Sequence, residues 1–208
     1  MSKYVITIAR GYGSGGRTIA KMLSEELDIH YYDRELLRLA SDESGINEEL
    51  FGKADEKVKE SLLYKIMKKS YTGEFISPDS DDFISNDNLF NYQAKVIRQL
   101  AEEDDKSCII VGRCADYILK DYKNVIRIFV HAPLEHCLDT LESMSNDSRK
   151  DLQKKIETID KHRAAYYEYY TGGKWDNAAN YDLCINTSQL SFEEAVELIK
   201  DYIKIRVK

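Results

Sequence analysis

Tyr4 to Leu27 reads YVITIARGYGSGGRTIAKMLSEEL, and three patterns follow one another in it. A β-branched run, Tyr4 to Ala9, stops at a glycine cluster, and apolar residues then recur at helical spacing from Thr18 to Leu27. This is strand, loop, helix. Working outward, Ile29 to Tyr32 reads as a second short strand that ends at Asp33 and runs into the helical pattern RELLRLASDE. From there to about residue 105 the sequence is helical or loop-like, and the polar stretch SPDSDDFISNDN, residues 77–88, reads as a flexible surface loop. Strands resume at Cys108 to Val111 and Val125 to Val130. A long charged helix is expected from about Ser148 to Tyr170, a last strand at Asp182 to Asn186, and a capping box at Ser191 to Glu194 opens the terminal helix. Short apolar strands alternating with helices specify a three-layer α/β fold, with a five-stranded parallel sheet flanked by helices.

The chain has 208 residues, 43% of them hydrophobic, which suits one domain with a modest appended lobe. The expected division is a core of residues 1–40, 106–145 and 179–208, a helical part at about 41–105, and a lid at about 146–178. Thirty Lys and Arg stand against 37 Asp and Glu, a net charge of -7. That balance argues against a general polyanion binder, so no nucleic-acid partner is expected, and any phosphate must be held by a local set of cations. No apolar run approaches the roughly 20 residues of a membrane span, so no membrane partner is expected. The four cysteines, Cys108, Cys114, Cys137 and Cys184, lack paired metal spacing and read as buried, reduced thiols, which places the chain in the cytoplasm.

Gly11 to Thr18, GYGSGGRT, matches the phosphate-cradling pattern G-x-x-x-x-G-K-T except that Arg17 stands where lysine is expected. Glycines let backbone N–H groups turn inward around a phosphate, and a helix N-terminus adds its positive end. In this reading Gly11, Gly13, Ser14, Gly15, Gly16, Arg17 and Thr18 hold the phosphates of ATP. Arg17 bridges its β and γ phosphates, and the Thr18 hydroxyl meets magnesium. The same residues also spell G-x-G-x-x-G, with Asp33 about 20 residues onward, where a dinucleotide fold places its ribose-binding acid. The next sixty residues or so favour the first reading, because the chain returns to no third strand until Cys108.

Ile109 to Arg113, IIVGR, is a buried strand ending in glycine and arginine. Parallel strand ends are where α/β sheets bind ligands, so Arg113 reads as a clamp for a substrate phosphate, with a surface ion pair as the bland alternative. Asp33 and Arg34 end the second strand. Asp33 serves either as an acceptor-positioning carboxylate or as an N-cap for the helix that follows. In DKHRAAYYEYYTGGKW, residues 160–175, Arg163 is the expected lid cation, with Lys161 and Lys174 behind it, against the alternative of a solvated charged face. Tyr166, Tyr167, Tyr169 and Tyr170 cannot share one helix face, and packing is their expected role.

Taken in order, ITIARGYGSGGRT, YYDRELL, IIVGR, DKHRAAYYEYYTGGKW and YDLCINTS make the chain resemble the cytidylate kinase-like family of P-loop nucleoside monophosphate kinases over nearly its whole length. The resemblance implies a P-loop kinase fold with core, acceptor-binding and lid parts. It also implies ATP bound at Gly11 to Thr18, an acceptor nucleotide held by Asp33 and Arg113, and Arg163 as a lid arginine. Arg17, Arg113 and Arg163 are the expected catalytic cations. A phosphate acceptor is mostly the dianion at neutral pH, so no base is required. The competing classes are a non-catalytic nucleotide-binding regulator and, further off, a dinucleotide-binding oxidoreductase.

Overall fold

The structure, a computed structural model, describes residues 3–57, 73–76, 84–102 and 106–207, except for the side chains of 53–57. Five strands, β1 (Val5–Arg10), β2 (His30–Tyr32), β3 (Cys108–Val111), β4 (Val125–His131) and β5 (Leu183–Asn186), form one sheet in the order β2-β3-β1-β4-β5. Every pairing is parallel, with Val5 opposite both Cys108 and Val125. The strands are the five expected from their β-branched runs. The order matters, because a dinucleotide-binding sheet places β2 beside β1, whereas here β3 takes that place.

Alternation along the strands divides the core. Ile6, Ile8, Ile109, Ile126 and Ile128 face α1 (Gly16–Leu27) and the terminal helix α8 (Phe192–Arg206). Val5, Cys108, Ile110 and Val125 face the opposite layer, built from α2 (Glu35–Ser44), α4 (Asn86–Glu102) and the short α5 (Ala115–Ile118). The expected helical excursion at 41–105 therefore includes a structural layer, because Leu89, Val96, Ile97 and Ala101 of α4 are buried against the sheet. Helix α3 (Glu48–Lys57) packs beside α2 and α4. Asn86 to Asn88, expected as the end of a loop, instead form the first turn of α4, and residues 77–83 lie outside the described residues.

Two further helices cross the carboxyl end of the sheet, α6 (Leu134–Glu142) and α7 (Arg149–Thr171). Ser148 caps α7 by accepting from the Asp151 N–H, and Ser191 and Glu194 form the expected capping box on α8. Helix α7 is anchored at both ends. Leu152 and Ile156 pack with Cys137 and Leu138 of α6, while Tyr166, Tyr167 and Tyr170 pack with Phe90, Ala94 and Cys114. The tyrosine cluster is thus the seam between α7 and α4, with Tyr170 stacked on Phe90 at 3.9 Å between ring centroids. Cys184 departs from expectation: it is exposed, while the other three cysteines are buried. Among the described residues no helix is long and apolar enough to cross a membrane.

Candidate active site

Helix α1 leaves β1 toward one face of the sheet and α5 leaves β3 toward the other. Adjacent parallel strands whose connections part in this way open a crevice at their carboxyl ends. A cavity of about 1270 Å³ occupies that place. Gly11, Gly13, Gly15, Gly16, Arg17, Thr18, Asp33, Arg34, Arg113 and Arg163 all line it. Sequence positions 11 to 163 therefore converge on one cleft.

The glycine loop is held from beneath. Ser14 is fully buried and lies outside the cleft lining; its hydroxyl sits 2.9 Å from the Gly11 carbonyl and 3.1 Å from that of Val130. The Thr187 hydroxyl donates to the Ser14 carbonyl at 3.0 Å. The Ser14 side chain thus shapes the loop rather than facing a ligand. At Gly15, φ is 80° and any Cβ would run into the ring of Phe192, so α8 presses the loop from behind and requires glycine there. The first N–H groups of α1 open toward the cleft without intrahelical partners.

Arg17 does not project freely. Its Nε donates to Asp33 Oδ2 at 2.6 Å and its Nη2 donates to the same oxygen. Asp33 is not the N-cap of α2; Arg34 occupies that position, with no side-chain cap. Lys161 and Lys174, named as reserve lid cations, are exposed and lie outside the cleft lining. Arg163 is oriented by its own helix and by β1: it donates to Asp160 at 3.1 Å and to the Arg10 carbonyl at 2.9 Å. Burial lowers the pKa of both Arg163 and Arg113 below the ordinary arginine range.

Three residues in or beside the site escape a reading of motifs. Arg10 ends β1 and lines the cleft. A charged residue as the last position of an apolar strand was its only signal. Asp160 accepts from the Tyr12 N–H at 2.9 Å and so ties the middle of α7 to the glycine loop. Its spacing three residues before Arg163 places both on one helix face. Asp116, in the first turn of α5, is buried and accepts from the Tyr167 hydroxyl at 2.8 Å. Burial pushes its carboxyl up to about 6, against the opposing pull of that hydrogen bond. No local pattern marks it, since its partner is 51 positions away.

The residues present suit magnesium-bound ATP. The cleft offers a glycine-lined loop, a helix N-terminus, the Thr18 side chain and five arginines, Arg10, Arg17, Arg34, Arg113 and Arg163. The parallel sheet, with the glycine loop after its central strand, is that of a P-loop kinase. A shikimate kinase from Bacteroides thetaiotaomicron shares the fold with a TM-score of 0.54 at 12% identity, covering 97% of this chain and 98% of that one. The model of the cytidylate kinase-like family matches residues 5–189, and the chain belongs to that family. Cytidylate kinases from Methanopyrus kandleri and Sulfurisphaera tokodaii are 25% and 24% identical to it, over 94% and 96% of this chain and 91% and 94% of theirs. The crystal structure of an uncharacterized protein from Eubacterium ventriosum aligns with a TM-score of 0.70 at 26% identity, over 97% of this chain and 99% of that one.

Proposed function

We propose that this protein transfers the γ-phosphoryl group of ATP to a nucleoside monophosphate or a similar small phosphate. The observation that carries the reading is five arginine side chains around one glycine-lined cleft in a chain whose net charge is -7. Asp33, Glu48, Glu49 and Asp116 line the same cleft and offset part of this charge, and a multiply charged anion would complete the balance. The glycine loop and the α1 N-terminus hold the donor phosphates. Arg113 and Arg34, at the ends of β3 and β2, grip the acceptor phosphate, with Asp33 fixing the Arg17 fork between the two. Arg163, positioned by Asp160, covers the reacting groups from α7. The Thr18 hydroxyl would help hold magnesium, which would neutralise charge on the donor phosphates when bound.

In the step itself an oxygen of the acceptor phosphate attacks Pγ. The bond from Pγ to the bridging oxygen breaks, and ADP leaves with the electron pair. No proton need move, because the acceptor phosphate is already mostly the dianion at neutral pH. Catalysis is then positioning and charge stabilisation, and the cleft's many cations suit that division of labour.

Cytidine nucleotides are the first acceptors to try, since two relatives are cytidylate kinases. ADP release with magnesium and ATP should rise on adding one of CMP, dCMP, UMP or AMP. Stabilisation by NAD alone would reject the proposal. One observation favours a second reading, a nucleotide-binding regulator: Arg17 stands in place of the loop lysine and is engaged by Asp33. Thermal stabilisation by ATP, with no ADP released for any acceptor, would support that reading instead.

A further inference from the structure

The Arg10 side chain is threaded between two glycines. A Cβ on Gly16 would lie 2.6 Å from the Cβ of Arg10, and a Cβ on Gly112 would overlap the Arg10 guanidinium. The missing side chains let the guanidinium lie against the backbone at the end of β3, midway between the glycine loop and the Arg113 turn. There it lines the floor of the cleft, with 20% of its side chain exposed. Arg17, by contrast, is 57% exposed and spends its fork on Asp33 Oδ2.

The Arg10 fork is under-used. Among the described residues its charged partner is Asp33, whose Oδ1 stands 3.9 Å from Nη2, too far for a hydrogen bond. One carboxylate thus serves both Arg10 and Arg17, while Arg113 and Arg163 add further positive charge nearby. Burial, and then the Arg163 charge, push the Arg10 guanidinium down to about 9. A largely enclosed cation with idle donors calls for an anion.

We infer that Arg10 is a catalytic residue of this cleft, its guanidinium bridging non-bridging oxygens of the transferred phosphoryl group and of the acceptor phosphate. The inference rests on the phosphoryl-transfer reading and deepens it. It gives the floor of the cleft a bridge between donor and acceptor phosphates, beside the β–γ bridge that the loop pattern assigns to Arg17. Arg10 donates hydrogen bonds as negative charge spreads over the equatorial oxygens, and it transfers no proton.

The test uses the full chain and two variants, Arg10→Met and Arg10→Lys, with magnesium, ATP and whichever acceptor gives the fastest ADP release in the wild type. Arg10→Met should lower kcat by about 100-fold or more, raise KM for ATP by no more than about tenfold, and leave the melting temperature near that of the wild type. Arg10→Lys should recover part of that loss, because it restores the charge without the fork. A second arm needs no turnover. By calorimetry, Arg10→Met should bind the imido analogue of ATP about tenfold more weakly while binding ADP as the wild type does, because only the analogue carries the γ phosphate. Unchanged kcat, or equal losses for ADP and the analogue, would overturn the role and leave Arg10 a scaffold residue. If Arg10→Met does not fold, Arg10→Lys is read by the same two arms, and wild-type values in both overturn the role. If the wild type releases no ADP with any acceptor, the reaction reading fails, and the ligand arm still decides whether Arg10 meets the γ phosphate.

Discussion

The loop that leaves β1 takes positive φ at glycines, Gly13 at 83° and Gly15 at 80°. The turn that leaves β3 instead carries three successive residues there, Gly112 at 75°, Arg113 at 61° and Cys114 at 54°. Left-handed backbone costs an L side chain about 1–2 kcal/mol, so the first loop is relaxed and the second is strained. Each arrangement has its use. Glycines in the β1 loop let backbone N–H groups approach a ligand and let Phe192 close in behind. The β3 turn spends strain to aim Arg113 into the cleft while burying Cys114 against the aromatic seam of α7 and α4. Under the proposed function, one loop would offer backbone to the ligand and the other a side chain.

That contrast can be broken most sharply at the β1 loop. Arg17→Ala should cost at least about 3 kcal/mol of transition-state stabilisation, read as roughly a 100-fold or greater drop in kcat/KM. Near-normal turnover would shift the catalytic weight to the β3 side and the cleft floor. Next in size is Gly15→Ala, which forces a methyl group against Phe192 at positive φ. Urea unfolding should show a loss of about 2–3 kcal/mol, and adding Phe192→Leu should return part of it.

On the β3 side, Asp116 supplies a pH-dependent version of the same strain. Its carboxyl holds a proton up to about pH 6 in the fold, whereas the unfolded chain releases it near 3.8. Between those values the folded state binds more protons, so stability falls as pH rises, and the deficit is complete above about 6. Asp116→Asn should therefore be more stable than the wild type at pH 8 by up to about 3 kcal/mol, with the gain vanishing near pH 4. A gain independent of pH would show that ionisation is not its source. Smallest is the backbone term itself: Arg113→Gly should be more stable than Arg113→Ala by about 1 kcal/mol, since both remove the charge and glycine alone relieves φ.

Much of this was legible in local pattern. The five strands stand where β-branched runs end at turn residues, and the capping box at Ser191 and Glu194 marks the start of α8. The glycines of the loop, Arg17, Thr18, Asp33, Arg34, Arg113 and Arg163 were marked by the loop pattern, strand ends and helical spacing, and all of them line one cleft. The departures share a cause. Helix α4 read as part of an excursion because periodicity shows that a face is apolar without showing what covers it. Lys161 and Lys174 were included because a charge run does not reveal which side faces the ligand. Ser14 read as a ligand contact because it lies in the glycine loop, and no local pattern shows that its hydroxyl is spent on two carbonyls, one of them 116 positions away.

The sequence by itself determined the α/β alternation, the glycine loop after the first strand and the set of cations, since these depend on neighbours within a few residues. Tertiary structure alone decided the sheet order and the pairing of Arg17 with Asp33. It also decided that Asp160 binds the Tyr12 N–H from 148 positions away, and that Gly16 and Gly112 make a seat for Arg10. The physical reason is that each of these requires two segments to approach within a few ångströms. Such closeness is set by how whole strands and helices pack, not by any pattern confined to one segment.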